Sequence, residues 1–165
     1  KRGKSVKTCS LDLGAVRMTE RFLRGDFPNL SEYKRMDAFI MRFLRAHLAA
    51  GGIRKPVHNL IGAGGTITTI AAVKLMLPAY SHERVHGTLL HKKEIEYILN
   101  LLVSMPLAER RKVIGLNPER ADIIAAGIYI LVNIMDVLRI NTITVSDRGI
   151  LYGLIVASSK TTAKR

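Results

Sequence analysis

The sequence predicts an α/β chain rich in helix, and three observations carry that expectation. Short runs enriched in Val, Ile and Thr recur at Val6–Leu13, Val57–Ile61 and Ile140–Ser146. Each is followed by a longer stretch whose apolar residues repeat at helical spacing. A chain of 165 residues, 48% hydrophobic and 24% charged, fits one domain with a real core. Strand followed by helix, repeated, implies parallel βα units in an α/β sandwich. Because helices dominate by length, an all-helical chain is the rival.

Taken in order, Val6–Leu13 alternates as a strand that Gly14 ends, and AVRMTERFLR (15–24) has helical spacing. Ser31 is the expected N-cap of a helix from Glu32 to Ala50, striped by Met36, Phe39, Ile40, Phe43, Leu44 and Leu48 and stopped by Gly51-Gly52. Val57–Ile61 reads as a strand, and Thr66–Leu77 as a buried helix of apolar residues and threonines. A loop, 78–87, leads to a short TLL segment and a helix from Lys92 to Ser104 that Met105-Pro106 breaks. PLAERRKVI gives one more short helix. Asn117-Pro118 starts a long helix to Leu138, with Pro118 in its first turn. Ile140–Ser146 is the last strand, Gly149–Ala157 a final helix and SSKTTAKR a polar tail.

The charge balance restricts function more than the composition does. Twenty-six Lys and Arg against 13 Asp and Glu leave +13, which attracts polyanions: nucleic acid, acidic lipid or a highly phosphorylated small molecule. Aromatic residues are 5% with no Trp, and the cations are scattered rather than interleaved with rings, which argues against a stacking platform for nucleic acid. The apolar run Ile123–Met135 is shorter than the roughly 20 residues a membrane span needs and contains Asn133, so a buried helix is expected. The lone Cys9 excludes an internal disulfide or a multi-cysteine zinc site and suits a reducing cytoplasm. The basic start KRGKSVKT lacks the apolar stretch of a signal peptide, and a chain opening without Met reads as a fragment.

LIGAGGTITTI (60–70) is the stretch that bears on chemistry. A strand, a glycine loop and a helix bring unpaired N–H groups and about half a positive charge to one point, where anions settle. Glycines let the backbone approach phosphate oxygens, and Thr66 offers a cap and a hydroxyl. A Walker A loop is excluded because no lysine follows Gly65, and a dinucleotide fingerprint because position 67 is Ile rather than Gly. The pattern alone leaves a phosphate cradle and a plain βα turn both open.

Five segments together carry a resemblance: SLDLGAVRMTERFL (10–23), IGAGGTITTIAA (61–72), ERVHGTLL (83–90), GLNPERADIIAAGIYIL (115–131) and TVSDRGILYGLI (144–155). In that order they resemble motifs of the exopolyphosphatase/guanosine pentaphosphate phosphohydrolase (Ppx/GppA) family. The resemblance implies a three-layer sandwich with a small mixed or parallel sheet, the ribonuclease H-like, actin-like ATPase lobe. Residues 1–165 would then be one domain, the second lobe of a larger two-lobed enzyme whose N-terminal lobe and first strands are absent. The implied activity is hydrolytic release of terminal phosphate from inorganic polyphosphate or guanosine pentaphosphate, assisted by Mg2+. By the same carry-over Gly62, Gly64, Gly65 and Thr66 grip phosphate, Arg17 and Arg148 are candidate substrate contacts, and a homodimer is suggested. The family's catalytic glutamate and its acidic-Gly-Gly-Gly-Ser-Thr-Glu motif do not occur here, so no catalytic residue and no metal ligand is assigned, and the fragment alone is expected to be inactive. Leu151 stands where the family has arginine, so that one cationic contact is either missing or replaced by neighbouring Arg148. Rival readings are a non-catalytic domain sensing phosphate or guanosine tetraphosphate, and a polyanion-binding protein for RNA.

Other candidates have plainer explanations. His82, His86 and His91 fall in a loop and its exit without a carboxylate pattern, which favours solvated or structural histidines over a metal site. Asp122 suits a helix start and Asp147 a strand-to-helix turn. Met36, Met41 and Met135 read as core filler, Arg110-Arg111-Lys112 as a solvated helix face, and Cys9 as inert.

Overall fold

Sheet topology sets the layout. The computed structural model describes residues 8–50, 57–149 and 152–153. Three short strands, β1 (Ile61–Ala63), β2 (Leu89–His91) and β3 (Thr142–Ser146), form a sheet of order β1-β3-β2. β1 runs parallel to β3 with Gly62 opposite Val145, and β2 runs antiparallel to it with Leu90 opposite Ile143. The sheet is therefore mixed, and alternation buries one face of it, through Gly62, Leu90, Ile143 and Val145.

Helices cover that face in layers. α3 (Gly65–Lys74) packs on β1 and β3, and α5 (Lys92–Val103) on β2. Behind them lies α7 (Ile124–Leu138), and α1 (Ala15–Phe22) and α2 (Leu30–Ala50) pack on α7 and on each other. Two four-residue helices, α4 (His82–Val85) and α6 (Leu107–Arg110), serve as connectors. Met36, Ile40 and Leu44 of α2 and Ile124, Ile128 and Met135 of α7 are essentially sealed from water, as their helical spacing requires. Among the described residues, no helix is long and apolar enough to cross a membrane. The α/β, helix-rich expectation holds.

Several boundaries differ from the sequence reading, each for a local reason. Residues 8–13 form no strand, because no strand pairs with them among the described residues; positions 6–7 lie outside that set. The strand expected at Val57–Ile61 is Ile61–Ala63, since Gly62 itself enters the ladder with β3. The cap of α2 is Asn29 rather than Ser31: Asn29 Oδ1 accepts from the Glu32 amide at 3.1 Å, and Glu32 Oε2 accepts from the Asn29 amide at 2.8 Å, a reciprocal capping box. Asn117-Pro118 opens a separate 3-10 turn, Pro118–Arg120, before α7 begins. Arg110 is not solvated: it is 2% exposed. The expected Gly51-Gly52 stop, Leu151 and nearly all of the final helix lie outside the described residues.

Candidate phosphate-binding mouth

β1 ends directly at α3, and the junction is Gly64, whose φ of +108° is the left-handed region that glycine tolerates. The amides of Ile67 and Thr68 both donate to Gly64 O, at 3.1 Å each. Those of Gly65 and Thr66 find no acceptor among the described residues, and no side chain caps the helix. Two N–H groups and the positive end of the α3 dipole therefore face outward together.

A cleft of 340 Å³ opens beside this helix start, with Gly65, Thr68, Thr69, Tyr80, Asn117 and Arg120 in its lining. The Thr68 hydroxyl donates back to the carbonyls of Gly64 and Gly65, both at 3.3 Å, which fixes the first turn. The Arg120 guanidinium lies across Gly65. A Cβ built at that glycine would meet its Nη1 and place Cζ at 2.5 Å. Gly65 thus admits the cation, and Arg120 is exposed with no acidic partner among the described residues. Backbone donors, a helix dipole and a free guanidinium converge on one concave spot, the donor set that a phosphate group asks for.

The residues singled out from sequence divide. Gly64 and Gly65 form the mouth. Gly62 lies buried inside β1, where the methyls of Ile67 and Ile143 fill the space a side chain would need, so packing accounts for it. Thr66 is not the cap, which is Gly64; its side chain packs against Gly127 of α7 and is absent from the cleft lining. Arg17 is exposed, pairs with Asp12 and lines no part of the cleft. Arg148 lies in a neighbouring hollow of 320 Å³, its Cζ 4.8 Å from the Tyr152 ring centroid.

That hollow joins residues the sequence kept apart. Asp147 follows β3 just as Gly64 follows β1, so both sit off the carboxyl ends of adjacent parallel strands. Asp147 accepts from Tyr80 Oη at 2.7 Å and bonds His82 Nδ1, while its own amide donates to His86 Nδ1 at 3.3 Å. Burial first, and then the bond to Asp147, push the Tyr80 phenol above its usual range. Both Asp147 oxygens are thereby engaged. Among the described residues no three His, Cys, Asp or Glu side chains group to hold a metal.

The profile of the Ppx/GppA phosphatase family matches residues 1–162. The chain belongs to that family. It is similar to a solved structure of the Aquifex aeolicus Ppx/GppA phosphatase, with a TM-score of 0.85 and 32% identity over 93% of this chain and 50% of that one. An exopolyphosphatase structure from Cytophaga hutchinsonii, at 23% identity and TM-score 0.71, shares the Ppx/GppA fold over 89% of this chain and 49% of its own. Among curated relatives, exopolyphosphatase 2 of Mycobacterium tuberculosis is 28% identical over 156 residues, 92% of this chain and 49% of the relative. A bifunctional 3-dehydroquinate synthase/phosphatase of Fusobacterium nucleatum is 34% identical over 152 residues, 91% of this chain and 22% of the relative. The chain spans about half the length of the first and about a fifth of the second. Arg120 sits inside the family-like segment 115–131, yet its place beside Gly65 was not legible there, because only the fold brings the turn after Asn117 over that glycine.

Proposed function

We propose that this chain is the phosphate-gripping lobe of a phosphohydrolase that releases terminal phosphate from inorganic polyphosphate, with guanosine pentaphosphate as the second substrate candidate. The observation that carries it is the Arg120 guanidinium lying across Gly65, where the amides of Gly65 and Thr66 are free. Phosphoryl transfer to water depends on positioning and charge neutralisation, and little covalent help is required. The amides and the helix dipole hold the non-bridging oxygens, and Arg120 neutralises charge that moves onto the leaving phosphate. The described residues supply no free carboxylate at the mouth, so the base that activates water comes from outside them. Mg2+, a homodimer and a cytoplasmic setting enter only through the family resemblance and the lone Cys9.

The family name of the Mycobacterium tuberculosis relative favours polyphosphate. The test is phosphate release by the full-length protein from both substrates, with magnesium supplied. Arg120→Ala lowers the rate about a hundredfold. Thr66→Val leaves it within about threefold, because its hydroxyl faces α7. An Arg120→Ala enzyme as fast as wild type overturns the assignment.

A further inference from the structure

Arg110 is the one buried cation among the described residues, and none of its partners is an acid. Its Nε donates to Leu102 O at 2.8 Å, Nη1 to Ala121 O at 3.1 Å, and Nη2 to Met105 O at 3.1 Å and to Tyr33 Oη at 3.5 Å. No carboxylate pairs with it among the described residues. Taking a guanidinium out of water without a counterion is costly, and an apolar side chain of similar size would fill the space more cheaply. Carbonyl dipoles supply the compensation. Leu102 and Met105 lie at the end of α5, where the helix dipole is negative and whose own last turn carries no basic residue.

The geometry of the fork explains why the position holds an arginine. Two arms grip the end of α5, and the third grips Ala121, the residue that follows Arg120 and closes the 3-10 turn from Pro118. Arg120 itself has no hydrogen-bond partner on its side chain among the described residues, so its place over Gly65 depends on where the backbone of that turn is held. We propose that Arg110 is a positioning residue: a buried three-armed tie that anchors the turn 117–121 to the end of α5 and thereby aims Arg120 at the α3 mouth. That role presupposes the phosphate site proposed above. A lysine keeps the charge but lacks the planar fork, and it cannot reach both segments in the same geometry.

The experiment is calorimetric titration of the full-length protein with inorganic tripolyphosphate, for wild type, Arg110→Lys, Arg120→Ala and the double variant. Arg120→Ala weakens binding about 30-fold and Arg110→Lys about fivefold, while the double variant equals Arg120→Ala alone, because one residue acts through the other. If Arg110→Lys only lowers the melting temperature, and the folded protein binds as wild type does, Arg110 is a structural brace and the positioning role falls. Additive losses in the double variant overturn it equally. Wild-type protein that ignores tripolyphosphate removes the site itself. Should Arg110→Lys not fold, Tyr33→Phe runs the same cycle by deleting one acceptor. It is expected to weaken binding about twofold in wild type and not at all beside Arg120→Ala, and equal loss in both backgrounds counts against the tie.

Discussion

The two ends of α3 are built to opposite rules. At its C-terminus almost every polar group is used. Leu77 N donates to Ala72 O and Met76 N to Val73 O, both at 3.0 Å, closing the helix with Met76 in the left-handed region at φ +46°. Lys74 Nζ reaches Leu89 O at 2.9 Å and Glu94 Oε2 at 2.8 Å. Gly115 lies so close beneath that a Cβ there would meet the Ala72 carbonyl group and place Val73 N at 2.6 Å. The N-terminus holds another glycine in close contact, but its neighbour is a free guanidinium and its amides are unpaired. One end of the helix is thus closed by the chain's own groups, while the other leaves two backbone donors beside the cleft.

The contrast can be broken at three points. Gly115→Ala has the largest effect, because the obstacle is backbone and the residue sits at φ +86°. A loss of about 3–5 kcal/mol is expected, read from the urea midpoint of the full-length protein. Gly65→Ala meets an equally crowded Cβ position, yet the obstacle there is the end of a movable side chain. Stability should fall by no more than about 1 kcal/mol while tripolyphosphate affinity falls about tenfold, as the guanidinium is pushed aside. Equal stability losses at the two glycines would erase the distinction between the ends.

Glu94→Gln is the smallest. The Lys74 ammonium first, and then the His91 amide, hold the Glu94 carboxyl below its ordinary value of 4.5. A carboxyl lowered by folding stabilises the native state above its unfolded value, and that contribution is lost as pH falls through the folded value. Wild type should therefore lose stability relative to Glu94→Gln below about pH 4.5, with the two converging at the acid end. Both side chains are partly exposed, so the difference at neutral pH stays within about 1 kcal/mol.

The sequence located α1, α2, α3 and α5 to within a few residues, from apolar stripes or, in α3, from an almost wholly apolar run, while it began α7 too early by including the 3-10 turn at Pro118. It placed the start of β1 four residues early, since a glycine in a ladder looks like part of a loop until a partner strand fixes it. Of the candidate mouth, the sequence singled out Gly64 and Gly65, which the fold places at the start of α3. Thr66 was misread because a hydroxyl next to a glycine pair suggests a cap, and only tertiary packing turns it onto Gly127. Arg120 and Arg110 were hidden for a related reason. One reads as an exposed charge near a helix start and the other as part of a basic run, and each takes its meaning from backbone groups distant in sequence.

The contact between Thr66 and Gly127 ties the start of α3 to α7. An anion drawn against residues 65 and 66 tugs on the longest apolar rod in the middle of the molecule, which is itself wedged between α2 and α5. If residues 65 and 66 hold the phosphate proposed above, that ligand meets a seat backed by packed helices, and its capture calls for little rearrangement.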